Sequence, residues 1–286
     1  MTVTAVPNKG PRTGPRTGSR TRTRPPWIAL TVLAVVTTAA LLPGVVAPRD
    51  PLAQNVAQRL RPPSTAHPFG TDELGRDLFS RVIHGAQASL SIALLALVFA
   101  LGLSVVIGLT AGYFGGVADR VLMAAVDVLL ALPSLLISLL IVSGLGTGPV
   151  NLAVAVGIAS VPALARVTRA EVLRVSARTF VEAARGFGLP RRRILARHVL
   201  PHARGPITAL GALELATMVL SVSALSFLGY GTQPPDPEWG SLIAGGRAHF
   251  ATAWWLTTLP GAVLAVVVLA LHRVGRTLGA SEAGPV

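Results

Sequence analysis

Six stretches of the sequence are apolar over about the length that a helix needs to cross a lipid bilayer. At about 1.5 Å per residue, roughly 20 residues span a hydrocarbon core of about 30 Å. Only 13% of the 286 residues are charged, about half the share of roughly 25% that is usual in soluble domains. We therefore predict an all-α polytopic membrane protein with six transmembrane helices. The apolar stretches are 27–46, 88–112, 121–144, 149–166, 206–228 and 254–272.

The first and the fourth stretches leave alternatives open. The first, 27–46, is longer than the roughly 7–15 apolar residues of a signal peptide, and Pro48 follows Ala47 where a cleavage site would lie. We favour a membrane anchor over a cleaved signal peptide. The fourth stretch is short, and Pro162 near its end either kinks or terminates the helix.

The distribution of basic residues sets the expected orientation. Nineteen of the 25 lysine and arginine residues fall into segments that share one side of the membrane if the chain crosses it six times. Basic residues collect in cytoplasmic segments of membrane proteins. The sequence therefore predicts a multi-pass membrane protein with both termini cytoplasmic. Topology explains most of the net charge of +13, and we expect no nucleic-acid partner.

Polar segments divide the chain between the apolar stretches. The first 26 residues combine six basic residues with Pro, Gly, Thr and Ser and carry no acidic residue, a composition typical of disorder. In order we expect a disordered basic cytoplasmic tail (1–26), the first transmembrane helix (27–47), an extracytoplasmic loop (48–86), a core of five transmembrane helices (87–275) that includes a cytoplasmic loop (167–205), and a cytoplasmic tail (276–286).

The sequence argues against ATP hydrolysis by this chain. Lys9 is its only lysine, and Gly10 and Pro11 follow it, whereas a P-loop needs a lysine directly after its glycines to reach the phosphates. The chain has no cysteine, which removes disulfides, thiolate nucleophiles and Cys-ligated metals. We expect this chain to bind no cofactor, and any ATP and Mg²⁺ to be bound by partner subunits.

The cytoplasmic loop carries a helical pattern of its own. Apolar residues recur in it at steps of four and three, which predicts one apolar helical stripe that must be buried against the protein itself, the headgroup layer or another subunit. Gly188 follows as a C-terminal stop, because glycine tolerates the left-handed conformation there. The stripe comprises Leu173, Ala177, Phe180, Ala184 and Phe187.

A second, short helix is expected after this glycine. Pro190 suits its first turn, where a missing N–H costs nothing. Ile194, Leu195, His198 and Val199 then share one face, and we expect Pro201 to end the helix. The loop is thus predicted to be a helix, a glycine turn and a short helix beneath the membrane.

The spacing of residues in this loop resembles a known family. Glu182-Ala183-Ala184, Gly188 six residues after Glu182, His198, and then Leu200-Pro201 are similar to the EAA loop of ABC importer permeases. In that family the loop forms the coupling helix that docks into a groove on the ATPase subunit. The resemblance assigns the ATPase-coupling loop to Glu182, Ala183, Ala184, Gly188, Pro190, His198, Leu200 and Pro201.

Two further groups of motifs are similar to one branch of that family. The segments 67–72, 75–77 and 80–81 resemble the region before the second span in C-type permease subunits of dipeptide, oligopeptide and nickel importers, and 225–240 resembles the loop before their last span. His202 stands where asparagine is usual, and Ser221 to Ser223 stand where an acidic residue is frequent. The resemblance covers 67–279 and implies the type I ABC importer transmembrane fold.

The resemblance also implies the function and the partners. The chain would be a permease subunit without catalytic residues, forming half of a translocation pathway for di- or oligopeptides. Its partners would be a homologous second permease, two ABC ATPase subunits, an extracytoplasmic substrate-binding protein and the bilayer. Alternatives are import of nickel or a metal chelate by the same architecture and, more distantly, a secondary transporter or an intramembrane enzyme.

Three residues inside apolar stretches are candidates for the pathway. Asp127 and Glu214 are carboxylates that cost free energy in lipid and normally face a bundle interior or an aqueous cavity; each either lines the pathway or makes a structural contact. Pro133 either forms a hinge or is merely tolerated.

His198 has no second ligand at a suitable spacing, so we expect no metal site. Glu182 either serves coupling or forms an ion pair with a neighbouring arginine.

Overall fold

The computed structural model describes residues 27–282, and their side chains up to residue 279. The tail predicted at 1–26 lies outside these residues. Within the described part the protein is helical, with one isolated antiparallel bridge between Thr71 and Asp77. Its α-helices are α1 (Trp27–Leu41), α2 (Pro43–Val46), α3 (Leu78–Leu109), α4 (Gly116–Leu130), α5 (Ser134–Leu145), α6 (Pro149–Ser176), α7 (Thr179–Gly186), α8 (Arg191–Ile194), α9 (Leu200–Phe227), α10 (Trp239–Gly246) and α11 (Trp255–Glu282).

Four short helical turns of other types join these helices. The 3₁₀ turns are Val56–Gln58 and Arg247–His249, and the π-helical turns are Thr110–Phe114 and Leu195–Val199. Each π turn continues a long helix, so that α3 extends to Phe114, and α8 runs without a break into α9.

Long apolar helices confirm a multi-pass membrane fold. In the described part four unbroken segments are long and apolar enough to cross a membrane, and α4 and α5 together form a fifth, bent one. The 15 residues of α1 fall short of that length. Each of the six predicted stretches is thus helical, while the number of crossings stays a prediction. The four unbroken segments are Leu78–Phe114, Pro149–Ser176, Arg191–Phe227 and Trp255–Gly279.

Helices α3 and α6 run in the same direction between two ends of the bundle, and α9 runs in the opposite direction. One end is covered by residues 47–77 and 228–254, and we call it the loop end. The other carries the α6–α9 connection with its many arginines, and we call it the arginine end. The α3 and α6 helices begin at the loop end, and α9 begins at the arginine end.

The packing of α3 against α6 is closest where both helices carry small residues. A Cβ on Gly108 would lie 2.5 Å from the Thr168 Cβ, and one on Gly157 would lie 3.0 Å from the Ala96 carbonyl oxygen. Ala93, Ala96 and Ala153 are fully buried. Small residues let helix backbones approach closely, which gives van der Waals contact and association inside a membrane.

Two of the predicted helix limits were wrong because capping and proline tolerance were underestimated. We expected residues up to 86 to form a loop, but α3 begins at Leu78. Asp77 caps it by accepting a hydrogen bond from the Ser80 amide at 2.9 Å. The α6 helix also continues through Pro162 to Ser176. Pro162 is buried among neighbouring helices, a setting in which proline is tolerated in a span.

The predicted stretch 121–144 is not one straight helix. The α4 helix ends at Leu130, Pro133 has an extended backbone, and α5 then leaves at an angle of 95° to α4. Proline disfavours a helical conformation at the preceding residue, which places the break just before it. Pro133 therefore lies at a sharp bend, while its role as a hinge stays a prediction. Helix α11 reaches Glu282, past the expected start of the tail at residue 276.

A glycine pair on α3 provides a test of this packing. We expect Gly108→Ala to destabilise the protein, because its Cβ would press on the Thr168 side chain and on the Arg169 amide nitrogen at 2.9 Å. Overpacking of this kind costs about 1–3 kcal/mol. Thermal unfolding in detergent should show a midpoint lowered by several degrees.

The control is Gly102→Ala on the same helix. No atom lies within 4 Å of a Cβ at Gly102, and alanine favours a helix over glycine by about 0.8–1.0 kcal/mol. Its midpoint should be unchanged or higher. Equal losses in both variants would contradict the close α3–α6 contact.

Candidate coupling surface and translocation pathway

The first coupling helix is separate from the long helix that precedes it. The α6 helix ends at Ser176, and Arg178 adopts an extended conformation (φ −80°, ψ 146°) as the N-cap of α7. The amide of Val181 bonds to the Arg178 carbonyl at 2.9 Å. The chain therefore bends at 177–178, and the helical phase is not carried across the join.

This bend overturns the predicted apolar stripe. Ala184 is buried and Phe180 half-buried, but Leu173, Ala177 and Phe187 are exposed. A single helical period through 173–187 was assumed, whereas two helices of different direction present different faces. The buried residues of this region are instead the valines Val172, Val175 and Val181, together with Ala184.

Gly188 forms the turn that ends α7, as predicted. Its φ is +74°, a left-handed conformation that favours glycine. The Gly188 amide donates to the Arg185 carbonyl at 3.0 Å, and the Leu189 amide donates to the Ala184 carbonyl at 3.3 Å. These two bonds define a Schellman motif, which satisfies carbonyls at the helix end. The turn fixes the direction in which the chain leaves α7.

The second coupling helix does not end at Pro201, contrary to our expectation. Pro190 has φ −65° and ψ 141° as its N-cap, and the helix continues through Pro201 into α9. A proline ring clashes with the carbonyl four residues earlier, here that of Arg197. Arg197 lies in the π-helical turn Leu195–Val199. We attribute the continuity to this wider turn, since π turns alter the local hydrogen-bond ladder.

A separate apolar cluster holds the coupling loop against the ends of the long helices. Partly buried Leu101, Val105 and Leu109 of α3 pack on it, as does Leu189 after the glycine turn. The coupling loop is therefore attached to the bundle by its own core and is not a loose connector. The buried members of this cluster are Val172, Val175, Val181, Ala184, Ile194, Val199, Ala203 and Ile207.

Two ring contacts add to this attachment. The guanidinium carbon of Arg185 lies 5.9 Å from the ring centroid of Tyr113, at the end of α3, within the range of a cation–π interaction. The rings of Phe180 and His202 lie 4.8 Å apart. His202 is also fixed by a 2.7 Å hydrogen bond from its Nδ1 to the His198 carbonyl. No sequence pattern indicated that Tyr113 would contact the loop.

The outer face of α7 is left uncovered. Glu182 and Ala183 are exposed, and Phe187 has 86% of its surface exposed. Within the described residues Glu182 forms no ion pair with Arg178 or Arg185, which was the alternative weighed for it. Exposed arginines surround this face, and none of them pairs with an acid in the described part. They are Arg178, Arg185, Arg191, Arg192, Arg193, Arg197 and Arg204.

The remaining residues of the predicted coupling set, His198, Leu200 and Pro201, differ in how far they are buried. His198 is half-buried, with its Nδ1 buried and without a hydrogen-bond partner in the described part. Leu200 is half-buried and Pro201 exposed in the first turn of α9. No group of three or more His, Asp or Glu residues that could hold a metal ion occurs in the described part.

The candidate pathway residue Asp127 is paired with an arginine. Arg166 of α6 donates a short hydrogen bond to Asp127 of α4, and both side chains are more than half exposed. Two turns earlier on α4, Asp119 accepts two hydrogen bonds from Arg169, at 2.5 and 2.6 Å. The two pairs join α4 to α6. Sequence reasoning missed both arginine partners, because they lie 39 and 50 residues from their acids on another helix.

The other two pathway candidates, Glu214 and Pro133, take no part in the ion pairs between α4 and α6. Glu214 is half-buried on α9 and makes no hydrogen bond or ion pair in the described part. Pro133 lies at the break between α4 and α5. The structure thus places one of the two carboxylates in an exposed ion pair and leaves the other unpaired, while their role in a pathway stays a prediction.

The loop end is held by two buried carboxylates. Asp77 lies 2.7 Å from His67 Nδ1 and accepts from Ser80. Burial raises the pKa of Asp77, but the hydrogen bonds from His67 and Ser80 outweigh it and lower that pKa below its usual value. Glu238 is fully buried and caps α10, accepting from Ser89 Oγ at 2.8 Å. Burial raises the pKa of Glu238 above its usual value.

Long apolar helices, with an exposed helix, turn and short helix at one end, define a polytopic membrane protein. The profile of the family described as "Binding-protein-dependent transport system inner membrane component" matches residues 104–276. The chain therefore belongs to this family.

Named relatives and a solved structure agree with this assignment. The chain is 40% identical to the di/tripeptide transport system permease protein DppC of Pseudomonas aeruginosa (strain UCBPP-PA14), over 86% of this chain and 83% of the relative. It is 35% identical to the probable D,D-dipeptide transport system permease protein DdpC of Escherichia coli (strain K12), over 85% and 83%. An inward-facing structure of the MetNI methionine ABC transporter shares the fold, with TM-score 0.56, 17% identity and coverage of 71% and 96%.

The glycine turn can be tested through its own hydrogen bonds. A Cβ at Gly188 would meet no atom within 4 Å, so Gly188→Val should act only through the backbone, at a cost of about 1–3 kcal/mol. We expect the Gly188→Val variant to exchange the amide hydrogen of Leu189 at least tenfold faster, measured by hydrogen–deuterium exchange.

Asparagine supplies the matched comparison. It tolerates the left-handed conformation better than other side chains, so Gly188→Asn should keep slow exchange close to that of the unchanged protein. If valine and asparagine had the same effect, or neither had any, the strain assigned to this turn would be refuted.

Proposed function

We propose that this chain forms half of the translocation pathway of an ATP-driven importer and that residues 177–201 transmit the ATPase movement. The observation that carries the proposal is the two-sided character of α7. Its inner face, with Val181 and Ala184, is buried in the cluster beneath the bundle, while its outer face presents Glu182 and Phe187. A helix that is fixed on one side and exposed on the other suits transmission of a movement between subunits.

We infer the partners from the family membership and from the uncovered outer face of α7. We propose that two ABC ATPase subunits bind ATP and Mg²⁺ and hydrolyse the ATP, one of them docking on α7, and that this chain contributes no catalytic residue. A homologous second permease would complete the pathway, and an extracytoplasmic binding protein would deliver the substrate. The many exposed apolar side chains of α4 and α5, among them Leu136 and Leu140, supply a surface for lipid or the second permease.

Di- or oligopeptides are the proposed cargo. The names of two relatives at 40% and 35% identity refer to di/tripeptide and D,D-dipeptide transport. Similarity over more than four fifths of both chains supports a shared substrate class. Asp127 with Arg166, and the unpaired Glu214, are the charged groups that we propose for the pathway wall, where a zwitterionic peptide would pass.

The orientation that we propose places the arginine end in the cytoplasm and the loop end outside. Because the sequence contains no cysteine, single cysteines report on topology without background. We expect an impermeant thiol reagent to label Ala66→Cys in intact cells, since Ala66 is exposed at the loop end. Ala196→Cys, exposed at the arginine end, should react only after permeabilisation; the reverse pattern would invert the topology.

The docking face can be tested by mutating exposed residues that hold no part of the core. We expect Phe187→Ala to remove apolar contact area and Glu182→Lys to add positive charge beside Arg178 and Arg185. Both variants should reach the membrane in normal amounts but retain less than a third of the co-purified ATPase and of the substrate-stimulated ATP hydrolysis.

Phe250→Ala is the matched control, because Phe250 is also an exposed phenylalanine, with 56% exposure, but lies at the loop end. It should keep normal ATPase co-purification. Full co-purification and normal stimulated turnover in both the Phe187 and Glu182 variants would rule out α7 as the docking element.

A further inference from the structure

An open cavity of about 520 Å³ lies at the loop end, between the start of α3 and the segment before α10. Its size falls within the range of roughly 300–1,000 Å³ that small-molecule sites occupy. The polar residues that line it are His84, Gln87 and Ser91 from α3, and Thr232 and Asp236 from the segment 228–238. We call this cavity the vestibule.

The polar residues of α3 form one stripe. His84, Gln87 and Ser91 follow each other at steps of three and four, so they share a helix face. His84 is half-buried, while Gln87 and Ser91 are exposed. They lie where α3 passes from the loop end into its long apolar stretch. The vestibule is thus a polar entrance next to the apolar bundle.

Asp236 is the one carboxylate among the residues that line the vestibule. Its side chain is exposed and forms no hydrogen bond or ion pair in the described part. Asp236 also lines a neighbouring cavity at the loop end, and the other two acids of that cavity differ in this respect. Asp72 pairs with Arg76 at 2.6 Å, and Glu73 lies 3.3 Å from His249.

Arg81 positions both walls of the vestibule. Its guanidinium is buried and donates to the Pro51 carbonyl at 3.0 Å and to the Pro235 carbonyl at 3.4 Å. Its positive charge attracts Asp72, whose carboxylate lies 3.6 Å away, and also Asp236 and Glu73. The backbone just before Asp236 is therefore held in place, while the Asp236 carboxylate accepts no hydrogen bond in the described part.

The lining groups favour a hydrogen-bond donor with positive charge. His84 donates from Nδ1 to the Ser80 carbonyl at 2.8 Å, which leaves its Nε2 as an acceptor when the ring is neutral. Asp236 and the Gln87 carbonyl add further acceptors. A primary ammonium carries one positive charge and three donors. One carboxylate and one imidazole are fewer ligands than protein metal sites normally supply.

We propose that the vestibule receives the free ammonium terminus of the transported substrate and that Asp236 is its counter-ion. This inference rests on the proposed peptide import. It adds a recognition step by the permease itself, before the substrate enters the apolar bundle.

The test uses the reconstituted complex of both permeases, the ATPase subunits and the binding protein in proteoliposomes, with dialanine as the probe. We expect Asp236→Asn to lower the initial rate of dialanine uptake about tenfold while binding-protein-stimulated ATP hydrolysis stays within twofold. ATP consumed per dialanine imported would then rise at least fivefold. Asp236→Glu should restore at least half of the uptake, since it keeps the carboxylate.

Glu73→Gln is the matched control, because Glu73 is an acid at the same end but is paired with His249 and lines the neighbouring cavity. It should leave uptake and the ATP-to-dialanine ratio unchanged. Unchanged uptake in Asp236→Asn would overturn the proposal, and so would parallel loss of uptake and stimulated ATP hydrolysis, which would assign Asp236 to docking or assembly. If the unchanged complex imported no dialanine, the proposed function itself would fail, and this inference with it.

Discussion

The close approach of α3 to α6 is the contact on which the rest of the structure depends. Gly108 and Gly157 each lie where a side chain would collide with the other helix. Because lipid is as apolar as the helix surface, such close contact, and not the hydrophobic effect, holds helices together in a membrane. The two helices form the centre on which α4, α5 and α9 pack, and both continue to the arginine end. Their relative position therefore sets where the coupling loop begins.

The coupling loop inherits its rigidity from that centre. Val172 and Val175 at the end of α6 and Ala203 and Ile207 at the start of α9 belong to the same buried cluster as Val181 of α7. The glycine turn then fixes the direction of the chain after α7. A displacement of α7 would consequently move the ends of α6 and α9 with it. This connection supports the proposal that the loop acts as a lever, because α7 shares its buried cluster with the ends of α6 and α9.

Local rules predicted some of these features and failed for others. The turn at Gly188 was predictable because only one residue and its backbone conformation decide it. The buried stripe was not, since the bend at 177–178 depends on how α7 packs, and helical periodicity carries no information on that. Pro201 was wrongly expected to end a helix, and the choice between a kink and an end at Pro162 stayed open, for a related reason. The π turn before Pro201 and the neighbours of buried Pro162 are tertiary features.

For the charged residues, too, the sequence indicated some features and only the structure revealed the others. Asp127 was recognised as unusual in an apolar stretch, but its partner Arg166 lies 39 residues away on another helix, a distance at which a single sequence gives weak guidance. Glu238 drew attention only as part of a motif, whereas the structure shows a fully buried carboxylate that caps α10 and accepts from Ser89 of α3. Long-range pairs of this kind require the fold to be known.

The central claim is that the exposed face of α7 contacts an ATPase subunit. The most direct measurement replaces Phe187 with a photoreactive phenylalanine analogue in the full complex and identifies the cross-linked product by mass spectrometry. We predict a cross-link to an ATPase subunit. Cross-linking to the extracytoplasmic binding protein, or to lipid alone while the complex is intact and active, would contradict it.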